Sequence, residues 1–303
     1  MESNRFLKKI RDDYSTRYAY IKNDICITYA ELYKLIDINR KSILELGINK
    51  DDCVILQRKD QLEFSILFLS LLSIGCYIVP VSDGITEFEL DKVKKKVMPK
   101  TIDDIQVMLH CDTIEEEQDL PDFYSGDDCG IYHMTSGSTG EEKYCVRTFN
   151  NLYAEAESYV ETCAYSYNDR IISTAPLNHS FALGSVIIPA LLSGASVYTL
   201  NGLSPIRVMK MVPQNKITVI ITVPAIVKMF CIVEKQYDFS TIRMVLAGAG
   251  VITAELHRMF LEKFHTHLYG NYGSTETGGL ICRLNDENIA GKKVNPLEVD
   301  CSK

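Results

Sequence analysis

From Tyr29 to Phe264 the chain alternates segments of helical apolar spacing with short β-branched runs, and that alternation limits what it can fold into. Tyr29–Leu46 places apolar residues at helical spacing and ends before Gly47, and 52–57 (DCVILQ) reads as a short buried strand. A helix from Gln61 to Ile74 and a strand over Tyr77–Val81 follow. The rhythm then repeats, with a strand at Arg170–Ser173, a helix at Leu183–Leu192 and a strand at 196–200. It continues with a strand at 218–222, a helix from Ala225, a strand at 244–246 and a helix from Thr253 to Phe264. Alternation over such a length predicts an α/β architecture with largely parallel sheets. No period repeats along the chain, and the acidic stretch Asp112–Asp128 reads as a solvated surface connection.

The uncharged run Phe64–Ser82 approaches the length of a membrane span. Gly75 and Pro80 interrupt it, and its second half is β-branched and aromatic, so a buried helix, a glycine turn and a buried strand account for it better. With 303 residues, 46% of them apolar, a substantial core is available. Lys and Arg total 32 against 40 Asp and Glu, a balance of −8 that argues against a general nucleic-acid binder. The ten cysteines are scattered and form no C-x-x-C pair, so reduced thiols in a cytoplasmic protein are expected.

The segment 132–143, YHMTSGSTGEEK, carries the most chemistry. Glycine lets main chain approach an anion closely, and backbone N–H groups, Ser/Thr hydroxyls and one ammonium supply donors to phosphate oxygens. The lysine stands three residues after Gly140, so the loop is not of the Walker A type, which needs lysine directly after its second glycine.

Thr135-Ser136-Gly137-Ser138-Thr139-Gly140 with Lys143 resembles the phosphate loop of the adenylate-forming superfamily, which includes acyl- and aryl-CoA synthetases, luciferases and adenylation domains of nonribosomal peptide synthetases. The continuation 146–152 (VRTFNNL) is similar to the helix start that follows the loop in that family. Glu142 replaces a usual proline and Tyr144 a common glycine, departures that bear on loop rigidity and charge. Asn271-Tyr272-Gly273-Ser274-Thr275-Glu276 is the second match. The resemblance implies that its aromatic stacks on adenine, its threonine contacts the α-phosphate and its glutamate helps hold Mg²⁺. Gly248-Ala249-Gly250 resembles the adenine-binding turn, and 176–181 (PLNHSF) the substrate-side motif, which implies His179 near the reacting carboxylate or gating the acyl pocket. No aspartate stands between Pro176 and Ser185 to meet a substrate ammonium, which favours a fatty, aryl or other simple acid.

The resemblance, from about residue 20 to 300, implies two mostly parallel α/β subdomains, near 1–165 and 166–290, with part of a small β-barrel-like subdomain. It further implies ATP, Mg²⁺ and an acceptor thiol from coenzyme A or a carrier protein. A carboxylate would attack the α-phosphorus, and the thiol would then take the acyl group. Family members continue into a small C-terminal lobe bearing a catalytic lysine; here 291–296 resembles the approach to it, and the sequence stops at Lys303. The expectation for this chain alone is ATP binding with little or no adenylation. Two alternatives stay open: a nucleotide-binding module completed by a partner or without catalysis, and an interaction protein that reuses the fold.

Overall fold

The computed structural model describes residues 3–102, 105–109, 126–135, 143–200, 202, 204–283 and 292–293. The chain divides into two compact units, residues 1–19 with 25–153, and residues 20–24 with 154–303.

The first unit contains α1 (Ser3–Tyr14), the start of β1 (Tyr18–Lys22), β2 (Ile25–Thr28), α2 (Tyr29–Glu45), β3 (Cys53–Gln57), α3 (Gln61–Ile74) and β4 (Tyr77–Val81). It continues with α4 (Glu87–Val97), β5 (Thr101–Ile102), β6 (Gly130–Thr135), β7 (Lys143–Thr148) and the first turn of α5 (Phe149–Thr162). Its sheet runs β5-β3-β4-β6-β7, parallel except for β7, which returns antiparallel to β6. Helix α2 starts where Thr28 and Glu31 form a capping box: the Thr28 Oγ1 accepts from the Glu31 N–H at 3.2 Å and the Glu31 carboxylate from the Thr28 N–H at 2.7 Å. Helix α3 is apolar on every side and buried from Phe64 to Ile74, as an interior helix must be. It is capped by the Asp60 side chain and stopped by Gly75 at φ +89, a left-handed conformation that glycine adopts freely. The uncharged run is therefore the part of α3 from Phe64 to Ile74, a glycine cap and β4, and among the described residues no helix is long and apolar enough to cross a membrane.

The second unit holds β8 (Arg170–Ser173), α6 (Ser180–Ala182), a π-helical turn (Leu183–Ile187), α7 (Ile188–Ser193) and β9 (Ser196–Tyr198). It adds α8 (Pro205–Asn215), β10 (Val219–Thr222), α9 (Pro224–Ile232), β11 (Met244–Ala247), α10 (Ala254–Phe264), β12 (Leu268–Ser274), β13 (Gly278–Arg283) and β14 (Lys292–Lys293). Its strands lie in the order β14-β13-β12-β11-β10-β8-β9-β1. The strands from β12 to β1 are parallel, while β13 and β14 extend the edge antiparallel. Where the start of a barrel-like subdomain is expected, the described residues show these edge strands and no closed barrel.

Alternation along the strands assigns faces. Ile172, Ile220 and Val245 join Val208, Phe230, Phe239 and Phe260 in one apolar cluster under α8, α9 and α10, with Phe239 and Phe264 stacked at 4.2 Å between centroids. Their neighbours Ile171, Val219, Ile221 and Leu246 point the other way and are equally buried, so both faces are covered, as a parallel sheet requires. One polar staple closes the opposite end of these strands. Asp169, 3% exposed, takes a two-pronged ion pair from Arg243 at 2.7 and 2.7 Å, and accepts from the Thr218 hydroxyl and the Ser166 N–H.

Candidate functional site

In an open parallel sheet, ligands are received at the carboxyl ends of the strands where the winding reverses. In the second unit β8 connects to β9 on one side while its neighbour β10 connects to β11 on the other, so the reversal lies between β8 and β10. The carboxyl ends there are tied together: the Thr174 hydroxyl donates to the Thr222 Oγ1 at 2.7 Å, and the Gly248 N–H donates to the Thr222 carbonyl at 3.1 Å. The loops leaving these ends are the ones the sequence marks, 176–181 after β8, 248–250 after β11 and the distal half of β12.

β12 overruns its parallel neighbour. Ala247 pairs with Gly270, so Asn271–Ser274 project past β11 and pair only with β13, in a hairpin whose register shifts at Tyr272/Gly273. A side chain at Gly273 would overlap the Gly278 carbonyl, which explains glycine there. Ser274 and Thr277 close the turn, each N–H donating to the other's hydroxyl at 3.2 Å, and this holds Thr275 and Glu276 at the tip. Tyr272 is 68% exposed, leaving a broad aromatic face open. Glu276 is exposed, and hydrogen bonds from its own N–H and then from the Ser274 side chain hold its carboxyl below the usual range, so it is ionised at neutral pH.

The substrate-side motif and the glycine turn meet directly. A Cβ on Gly248 would stand 2.9 Å from three atoms of the Phe181 ring, so only glycine admits that ring. Ala249 adopts φ +56, a left-handed conformation uncommon for a residue with a side chain, so the turn is tightly specified. His179 caps the helix that carries Phe181 and is itself exposed; the protein mass beside it lowers its pKa by desolvation, favouring the neutral imidazole. Two hollows flank the loop 248–252. One of about 250 Å³ lies against Ile252, His257, Tyr269 and Gly270, and one of about 390 Å³ against Pro224, Lys228 and Val251.

Thr135 and Lys143 belong to the first unit. They end β6 and begin β7 as antiparallel partners, with the Thr135 hydroxyl donating to the Lys143 carbonyl at 3.2 Å, so the two ends of the loop stand side by side. Lys143 is exposed. Ser136, Gly137, Ser138, Thr139 and Gly140 lie outside the described residues.

The sequence reading missed a connecting group. Glu155 on α5, 1% exposed, accepts the Gly279 N–H at 2.6 Å, and its carboxyl lies against Gly184 in the π-helical turn. One turn on, the Tyr159 hydroxyl donates to the Asn271 Oδ1 at 2.8 Å. The signal was present: Leu152, Glu155, Ala156 and Tyr159 fall on one helical stripe, and an acid on an apolar stripe needs a buried partner.

The AMP-binding enzyme family matches residues 8–299. A feruloyl-CoA synthase of Amycolatopsis sp is 29% identical over 180 residues, covering 59% of this chain and 36% of that protein. The 4-coumarate–CoA ligase-like protein 3 of Arabidopsis thaliana is 23% identical over 296 residues, covering 84% and 53%. The chain thus spans about half or less of the length of these relatives. Among solved structures, the N-terminal domain of FACL13 from Mycobacterium tuberculosis superposes with a TM-score of 0.84 at 20% identity, covering 96% of this chain and 82% of that one. The chain belongs to the AMP-binding enzyme family.

Proposed function

We propose that this chain forms the nucleotide- and acid-binding part of an enzyme that activates a carboxylic acid as an acyl-adenylate and passes the acyl group to a thiol. The observation that carries the reading is that three marked loops lie at the carboxyl end of one sheet. The hairpin of Tyr272, Thr275 and Glu276, the Gly248–Gly250 turn and the His179 helix extend from the carboxyl ends of β12, β11 and β8, with β10 between the last two. The relatives named feruloyl-CoA synthase and 4-coumarate–CoA ligase-like protein support acid–thiol ligation.

In this reading the purine lies against the main chain of Gly248, Ala249 and Gly250 and the Tyr272 ring, beside Asn271 and Gly273. Thr275 steadies the α-phosphate. Thr135–Gly140 and Lys143 hold the β- and γ-phosphates. One exposed carboxylate, Glu276, fits Mg²⁺, which is usually held by one or two carboxylates together with substrate phosphates. The ion would neutralise charge on the phosphate oxygens. The substrate carboxylate oxygen bonds to the α-phosphorus as the bond to pyrophosphate breaks, and alignment with charge neutralisation supplies most of the catalysis. In this reading His179, as a neutral imidazole, donates to the reacting carboxylate or gates the acyl pocket. A thiol, from coenzyme A or a carrier-protein pantetheine, then attacks the acyl carbon and AMP departs. The absence of an aspartate between Pro176 and Ser185 points to a fatty, aryl or other simple acid.

Calorimetry with Mg-ATP tests the binding half, with saturable binding expected and its absence decisive against the reading. Acid-dependent ATP–pyrophosphate exchange tests the chemical half. Exchange that rises with added acid is expected, and its absence while Mg-ATP still binds would count against acid activation by these residues.

A further inference from the structure

We propose that Glu155 and Tyr159 are positioning residues that aim the Thr275–Glu276 hairpin by gripping it from behind; the functional consequence rests on the nucleotide reading above. The two side chains stand one turn apart on α5 and are 1% and 0% exposed. Each takes hold of a different strand of the hairpin, Tyr159 reaching Asn271 on β12 at 2.8 Å and Glu155 the Gly279 N–H on β13 at 2.6 Å.

The hairpin needs such a grip. Its distal half, Tyr272–Ser274, is exposed, and there Gly273 pairs with Gly279 so closely that a Cβ on Gly273 would overlap the Gly278 carbonyl. Glycine contributes no side-chain packing and adds backbone freedom, so the direction of the tip is set by its anchors. The match is tight on the other side too, because a Cβ on Gly279 would overlap the Tyr159 hydroxyl.

Glu155 serves a second element with the same carboxyl. A Cβ on Gly184 would stand 2.5–2.7 Å from its carboxyl atoms, so the acid is seated directly on the π-helical turn that follows His179 and Phe181. π-Helical turns inside α-helices concentrate at functional sites. One buried acid thereby fixes the spacing between the helix bearing His179 and the hairpin bearing Thr275 and Glu276. A misplacement of about 1 Å at a reacting group costs on the order of a hundredfold in rate, which makes that spacing consequential.

The test compares Glu155→Gln, which keeps an acceptor for the Gly279 N–H, with Glu155→Leu, which does not, and with Tyr159→Phe, which removes only a hydroxyl. Amide hydrogen exchange and Mg-ATP calorimetry are read on each. In Glu155→Leu and Tyr159→Phe, exchange is expected to accelerate in the 271–281 segment with β10 and β11 unchanged, and Mg-ATP affinity to fall about tenfold or more. Glu155→Gln is expected to restore most of both. Wild-type exchange across 271–281 in Tyr159→Phe and in whichever Glu155 variants fold would overturn the grip. Altered exchange with wild-type Mg-ATP affinity would overturn its link to the nucleotide. If the wild-type chain itself does not bind Mg-ATP, the functional reading falls, while the exchange data still decide the grip.

Discussion

Replacing Arg243 by methionine isolates the strongest electrostatic feature of the second unit. Asp169 is 3% exposed and receives two guanidinium hydrogen bonds at 2.7 Å each. Methionine keeps the aliphatic bulk and removes the charge, leaving Asp169 with the Thr218 hydroxyl and the Ser166 N–H. The Cys163 and Ala164 carbonyls lose their Arg243 donors as well. Breaking a buried pair from one side costs about 3–5 kcal/mol, and the lower end applies because the Arg243 side chain is 37% exposed. Unfolding in urea, followed by circular dichroism, should show a loss of about 3 kcal/mol at pH 7, or a fall of roughly 6 °C in Tm. Burial alone would raise the Asp169 pKa; the hydrogen bonds from Arg243, Thr218 and Ser166 and the guanidinium charge outweigh it and hold it below the ordinary value. A depressed carboxylate contributes stability that is complete above the unfolded pKa of about 3.9 and is lost as pH falls through the folded one. The gap between wild type and variant should therefore be full at pH 7 and narrow below about pH 4. The double variant Asp169→Asn with Arg243→Met should cost less than the two single changes added together. A single-variant loss under about 1 kcal/mol at pH 7 would refute this account, and so would a gap that persists unchanged in acid.

Gly184→Ala should cost about 1–3 kcal/mol by driving a methyl into the Glu155 carboxyl, read as a lowered urea midpoint. Thr28→Ala breaks the capping box of α2 and should cost about 1 kcal/mol in the same assay. The His179 imidazole should titrate by NMR below the unperturbed value of about 6.5, and denaturation should bring it back.

Legibility followed the range of the interactions involved. Helix α3 and strands β4 and β8 fall where spacing predicts them, because local apolar pattern and glycine caps fix their limits. The helix expected over Leu183–Leu192 begins instead at Ser180, with a π-helical turn at Leu183–Ile187 that periodicity does not encode. The strand expected over 196–200 stops at Tyr198, and beyond it the Thr199 N–H reaches on to the Ile21 carbonyl of β1.

The sequence determined the alternating architecture, the glycine break at Gly75, and the residue types of the phosphate loop and the hairpin. These depend on side-chain chemistry and spacing within a few residues. Tertiary structure decided which strand ends became neighbours, that Gly248 must admit Phe181, and that Glu155 meets both Gly184 and, 124 residues further along the chain from itself, Gly279. Such partners are set by strand order and backbone approach, which no local pattern records. A glycine in the sequence shows only that a side chain is absent; the fold shows what occupies its place.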